Sequence, residues 1–107
     1  MESNNALIEA LNDCAAACNH CATACLGEDD VKMMTDCIKT DMDCAAVCQV
    51  TAAFVSRNSP LSHHMLKACA EICEACAEEC RKHEHMDHCR ICAEACRHCA
   101  EACLEAA

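Results

Sequence analysis

Sixteen cysteines recur along this chain of 107 residues at alternating steps of three and four. The first run reads Leu7, Leu11, Cys14, Cys18, Cys21, Cys25. Two further runs are Leu66, Cys69, Cys73, Cys76, Cys80 and Cys89, Cys92, Cys96, Cys99, Cys103. A fourth reads Cys37, Asp41, Cys44, Cys48, Thr51, Val55, and together the four stripes hold every cysteine. Steps of 3 and 4 keep side chains on one face of an α-helix and form the seam by which helices pack. Thiols stand where leucine and isoleucine would normally fill a core.

The rest of the sequence suits long helices. Between the breaks at Gly27, Ser59-Pro60 and the polar run Arg81–His88 lie four segments of Ala, Glu, Leu, Met and Lys, all good helix formers. Ser3 reads as a cap for the first, with Gly27 just past its end. Glu28, Asp29 and Asp30 suit the positive start of the second. Ser59 reads as the cap of the third, with Pro60 at its first helical position. Arg81, Lys82 and His83 suit that helix's negative end. The expected spans are about 3–26, 29–57, 60–82 and 86–105. Short connections make successive helices antiparallel, so the expected fold is all-α: a single domain over 1–107, an up-down-up-down four-helix bundle with a Cys-lined core.

That direction assigns the two ends. Leu7, Leu11, Phe54, Val55, Leu61, Met65 and Leu66 should form an apolar plug, with Cys103 and Leu104 beside them. The other end should gather Cys25, Met33, Met34, Cys37, Cys80, His83, His85, Met86, His88 and Cys89, a concentration of metal-binding side chains.

Composition excludes several classes. Val, Ile, Leu and Phe total only 15 residues, so the ordinary apolar core is small. One aromatic residue offers no stacking platform for nucleic acid, and a net charge of −10 repels a phosphate backbone. One Gly and one Pro are too few for a turn-rich β fold or a loop-rich disulfide knot. No run of 18 apolar residues reaches across a membrane. The N-terminus MESNNALIEALNDC has neither basic nor apolar signal regions, which points to the cytoplasm and reduced thiols.

Sixteen thiols on one register are too many to be filler, because Leu or Val would bury more apolar area. Bridges between i and i+4 are disfavoured, since Cβ atoms about 5–6 Å apart exceed disulfide geometry. Cys18-Asn19-His20-Cys21, Cys73-Glu74-Ala75-Cys76, Cys89-Arg90-Ile91-Cys92 and Cys96-Arg97-His98-Cys99 each match CxxC. None has the βαβ context of a redox motif or the following His of haem attachment. Soft thiolates select Cu(I), and continuous stripes allow each sulfur to bridge two ions, for a capacity of about 16. Each thiol gives up a proton as it takes a +1 ion, so the interior stays neutral. Divalent ions at that density would leave a large charge in a dry core. Three other readings stay open on the residues alone: Cys₄ zinc or cadmium sequestration, cross-helix disulfides, and a thiol buffer against oxidants.

The segments CAAACNHCATAC, CIKTDMDCAAVC, CAEICEACAEEC and CRICAEACRHCAEAC, with the His-rich approach to the last helix, resemble the cytosolic copper storage proteins over essentially the whole chain. That resemblance implies high-capacity Cu(I) storage without catalysis, often in a homotetramer of bundles. By position it makes ligands of Cys14, Cys18, Cys21, Cys25, Cys37, Cys44, Cys48, Cys69, Cys73, Cys76, Cys80, Cys89, Cys92, Cys96, Cys99 and Cys103. It implies entry-end ligands in Met33, Met34, His83, His85 and His88. Asp41, in core register between Cys37 and Cys44, either accepts hydrogen bonds from thiols, ligates a terminal ion as a core ligand, or tilts outward. His20, His98, His63 and His64 read as surface residues, and Met42 and Met65 as packing.

Overall fold

The computed structural model describes residues 2–107, with side chains from Asn4 onward. Four helices carry the stripes: α1 (Glu2–Leu26), α2 (Thr35–Ser56), α3 (Ser62–Arg81) and α4 (Asp87–Ala106). No strand occurs among the described residues. Each helix packs against its two neighbours in the ring α1–α2–α3–α4. The bundle measures 45 × 17 × 17 Å.

The helix ends differ from the sequence expectation for identifiable local reasons. The cap assigned to Ser3 concerns a side chain outside the described residues. After Leu26 the amides of Gly27 and Glu28 bond back to the carbonyls of Ala24 and Cys25, closing α1. The second helix does not begin at 29. Asp30 Oδ1 accepts the amide of Met33 at 3.2 Å and holds Val31–Met34 in a 3₁₀ turn, so α2 starts at Thr35. A short acidic side chain competing for backbone amides delays the α-helix.

α2 ends in a left-handed turn. Asn58 has φ 52°, Ser59 N–H bonds to Phe54 C=O and Asn58 N–H to Val55 C=O, the paired bonds of a Schellman motif. Asn tolerates this conformation better than most side chains. Ser59 does serve as an acceptor, taking the amide of Leu61 at 3.1 Å. The third helix nevertheless begins at Ser62, two residues after Pro60. The α3–α4 connection is a run of tight turns, with His83 N–H on Cys80 C=O and Met86 N–H on His83 C=O.

Antiparallel register stacks the stripes into six layers of four. From the end bearing the 57–61 turn they are Leu7/Thr51/Leu66/Cys103; Leu11/Cys48/Cys69/Cys99; Cys14/Cys44/Cys73/Cys96; Cys18/Asp41/Cys76/Cys92; Cys21/Cys37/Cys80/Cys89; and Cys25/Met34/His83/Met86. All are buried except Met86, which is half-buried. Alanines 15, 45, 70, 77, 93 and 100 flank the stripes and are also buried, so small side chains let the helices approach closely. Of the expected plug, Leu7, Leu11, Val55 and Leu66 are buried, with Cys103 in register, whereas Phe54 and Met65 are only half-buried. Leu61 and Leu104 do not join it: both are more than half exposed, because Leu61 precedes the helix and Leu104 sits one step off the stripe. Met42 is likewise exposed rather than packed.

Candidate metal centre

All 16 cysteines are free, buried thiols, and their sulfurs form one connected column. Close approaches run between helices from the Cys48 level to the Cys25 end. They are 3.8 Å for Cys48–Cys69, 3.5 Å for Cys44–Cys73, 3.5 Å for Cys18–Cys96, 3.6 Å for Cys37–Cys80 and 3.9 Å for Cys21–Cys89. Approaches along one helix, such as Cys69–Cys73 at 3.8 Å and Cys92–Cys96 at 3.9 Å, link successive layers.

Several groups of four have ligand atoms within 4.8 Å of one another. They include Cys48/Cys69/Cys73/Cys99, Cys14/Cys44/Cys48/Cys73, Cys14/Cys18/Cys44/Cys96 and Cys18/Cys76/Cys92/Cys96. Adjacent quartets share sulfurs: Cys48 and Cys73, then Cys14 and Cys44, then Cys18 and Cys96. A closed tetrahedral zinc site takes four Cys or His ligands of its own. Shared quartets instead suit soft monovalent ions held by bridging thiolates. Such a column also keeps its charge near zero, because each ion replaces one proton.

Asp41 interrupts the column. It is fully buried, and its Oδ1 accepts from Cys76 at 3.2 Å, Cys92 at 3.3 Å and Cys80 at 3.4 Å. Cys37 lies 3.9 Å from Oδ2. Burial, then the neighbouring Cys92 and Cys76 sulfurs, push its pKa up to about 12. In the metal-free core this carboxyl therefore carries a proton.

The end bearing the α1–α2 and α3–α4 connections holds His83, His85 and His88. His88 sets Nδ1 3.4 Å from Cys89, 3.6 Å from Cys21 and 3.8 Å from Cys25, and the four form one potential metal group. Its Nε2 lies 2.9 Å from Glu28 Oε2. A carboxylate accepting from Nε2–H fixes the ring and leaves the Nδ1 lone pair facing the thiols, the arrangement by which outer carboxylates orient metal-binding histidines. Burial lowers the His88 pKa, but hydrogen bonds from the ring to Cys21 and Glu28 outweigh it and the net shift is upward. Burial is also the first cause raising Cys25 and Cys89.

The other expected entry residues divide. Met34 is fully buried and His83 nearly so, its Nε2 3.6 Å from Glu79 Oε2. Met33 and His85 are exposed at the same end. His20, His98, His63 and His64 are all exposed. Sequence reasoning missed Glu28 as the partner of His88: 60 residues separate the two, and no periodicity links them. It also passed over Thr51, although the stripe placed it in the core.

The sequence matches the profile of the family described as copper storage protein over residues 1–107. It is 50% identical to a cytosolic copper storage protein from Streptomyces lividans in a structure with five coppers. That match covers 97% of this chain and 91% of that one at a TM-score of 0.93. A structure of the Streptomyces lividans copper storage protein Ccsp loaded with 10 copper equivalents gives the same identity and TM-score, over 97% and 83% of the two chains. The Cu(I)-bound copper storage protein BsCsp3 is 44% identical, with 96% of each chain covered and a TM-score of 0.91.

Proposed function

The chain belongs to the copper storage protein family, and on that premise we propose that it stores many Cu(I) ions along its thiol column, in the cytoplasm and without catalysing a reaction. The observation that carries this is the sharing of sulfurs between adjacent quartets. All sixteen cysteines are the storage ligands. Each ion forms bonds to two or more sulfurs, and each cysteine it engages releases its thiol proton to solvent; copper stays in the +1 state throughout. Sixteen bare thiolates could not be buried together, so loading and proton release are one event. Asp41, in hydrogen-bond contact with Cys76, Cys80 and Cys92, serves as an acceptor for thiols and as a terminal oxygen ligand.

Ions enter at the His/Met end. His88 supports that reading, since it alone among the described residues combines partial exposure with a ring nitrogen beside three thiols. Met34 and His83 lie in the outermost layer, and Met33 and His85 form the exposed approach. Exposed Leu26, Val50, Ile91 and Leu104 favour assembly with further copies of the chain, and by family likeness the assembly is a tetramer.

Anaerobic titration of the fully reduced protein with Cu(I) against a chromophoric chelator tests the storage reading. Retention approaching the thiol count of 16 per chain is expected. Retention of about one to four ions would overturn it in favour of a few discrete sites of the zinc or redox kind.

A further inference from the structure

Two buried side-chain hydroxyls among the described residues have no hydrogen-bond partner, Thr51 Oγ1 and Ser62 Oγ. Ser62 lines an open surface cavity of about 220 Å³ with Asn4, Asn58 and Ser59, so solvent can serve it. Thr51 is different. It is completely buried, and its layer offers only Leu7, Leu66 and the Cys103 thiol. A trapped water would need two to four polar partners, which that layer lacks.

The omission is not forced by the helix. A threonine in a helix ordinarily bonds its hydroxyl to the carbonyl three or four residues back. Thr40, earlier on α2, does so with Asp36 and Cys37; Ser56, at its end, does so with Ala52 at 2.7 Å. Thr51 alone of the three forgoes the bond, and it alone stands on the cysteine stripe. An unmade buried hydrogen bond is a standing penalty in the metal-free protein.

Cys103 is the natural beneficiary. It is the only thiol in its layer, diagonally across the core from Thr51, and its sulfur neighbours Cys69 and Cys99 lie one layer inward. Every other thiol layer toward the middle supplies at least three sulfurs. In register with Cys103 stand two leucines and one polar side chain, the Thr51 hydroxyl, so a thiolate formed there has no other donor in its layer. Building on the storage reading, we propose that Thr51 is a positioning residue for the last ion of the column. Its hydroxyl, idle in the metal-free state, donates to the Cys103 thiolate that metal binding creates.

The test compares Thr51→Val, Thr51→Ser and wild-type protein in two measurements. In the metal-free, reduced state Thr51→Val should melt higher by about 4 °C, because an unpaired buried hydroxyl is gone. In titration with Cu(I) against a chelator, the same variant should hold its most weakly retained ion about tenfold less tightly, a difference of about 1.4 kcal/mol. Thr51→Ser should retain copper as wild type does. In a Cys103→Ala background, adding Thr51→Val should cause no further loss.

Wild-type retention by Thr51→Val, a lowered melting point for its metal-free form, or equal loss in Thr51→Ser would each overturn the assignment. Failure of storage itself reads out separately, as a low ion count in the wild-type protein run alongside.

Discussion

Asp41 is the residue whose surroundings most change its chemistry. A carboxyl with a pKa near 4 in the unfolded chain is held near 12 in the fold, so the folded state keeps a proton that the unfolded state gives up. Stability from such a group is full below the unfolded value and declines as pH rises towards the folded one. The metal-free bundle should therefore weaken from about pH 4 upward, with a loss of order 4 kcal/mol by neutrality. Asp41→Asn keeps the shape and an acceptor for Cys76, Cys80 and Cys92 without a dissociable proton. We expect it to be more stable than wild type at pH 8 under anaerobic reducing conditions, with a flatter slope of stability against pH between 5 and 8. Urea denaturation across that range checks both, and an unchanged slope would show that another group sets it. The sequence put Asp41 in core register but left its orientation open, because one stripe cannot reveal the three thiols that reach it from α3 and α4.

At the scale of the elements, the four helices were legible because their signal is physical: steps of 3 and 4 follow from 3.6 residues per turn. The burial of all 16 cysteines follows that pattern. The ends were less legible, since they depend on which short side chain wins a given amide. Asp30 could extend α2 or divert it into a 3₁₀ turn, and only the geometry of the Met33 contact decides. Asn58, the residue that turns the chain after α2, offered a signal that the adjacent Ser59-Pro60 pair overshadowed. Likewise Leu61 and Leu104 were assigned by hydrophobicity, whereas one step off the stripe leads to solvent. The α1–α2 and α3–α4 connections meet where Glu28 receives His88. Replacing His88 with Ala removes the only ring nitrogen, among the described residues, within 4 Å of Cys21, Cys25 and Cys89. Stopped-flow loading from a Cu(I) donor should then slow by about tenfold or more, since a lost ligand or its orienting partner costs about 10–100-fold. Total capacity should fall by no more than about one ion. Glu28→Gln should slow loading less, because the imidazole remains but its orientation loosens. Equal loading rates for wild type and His88→Ala would move the entrance elsewhere.

Across the whole molecule, storage by a shared column and storage in separate sites make opposite demands on the fold. Separate sites would each close around one ion, and removing two ligands would abolish a site while sparing the rest. In the column, Cys92 touches Cys18, Cys96 and Asp41, while Cys96 also meets Cys14, Cys18 and Cys44. Removing both thins the middle without detaching either end, because Cys14 and Cys44 lie within 4.8 Å of Cys18, and Cys18 within 4.8 Å of Cys76. The helices should survive as well: alanine is a better helix former than cysteine, and the lost sulfurs leave only small gaps in a core that ions otherwise fill. The double variant Cys92→Ala/Cys96→Ala should thus keep the helical circular dichroism of the metal-free wild type. It should retain about two fewer Cu(I) ions per chain, with the remainder held against the chelator as tightly as before. A collapse of retention to a few ions, with the helices intact, would show that loading depends on an unbroken path through the Cys92 layer and not on the number of thiols.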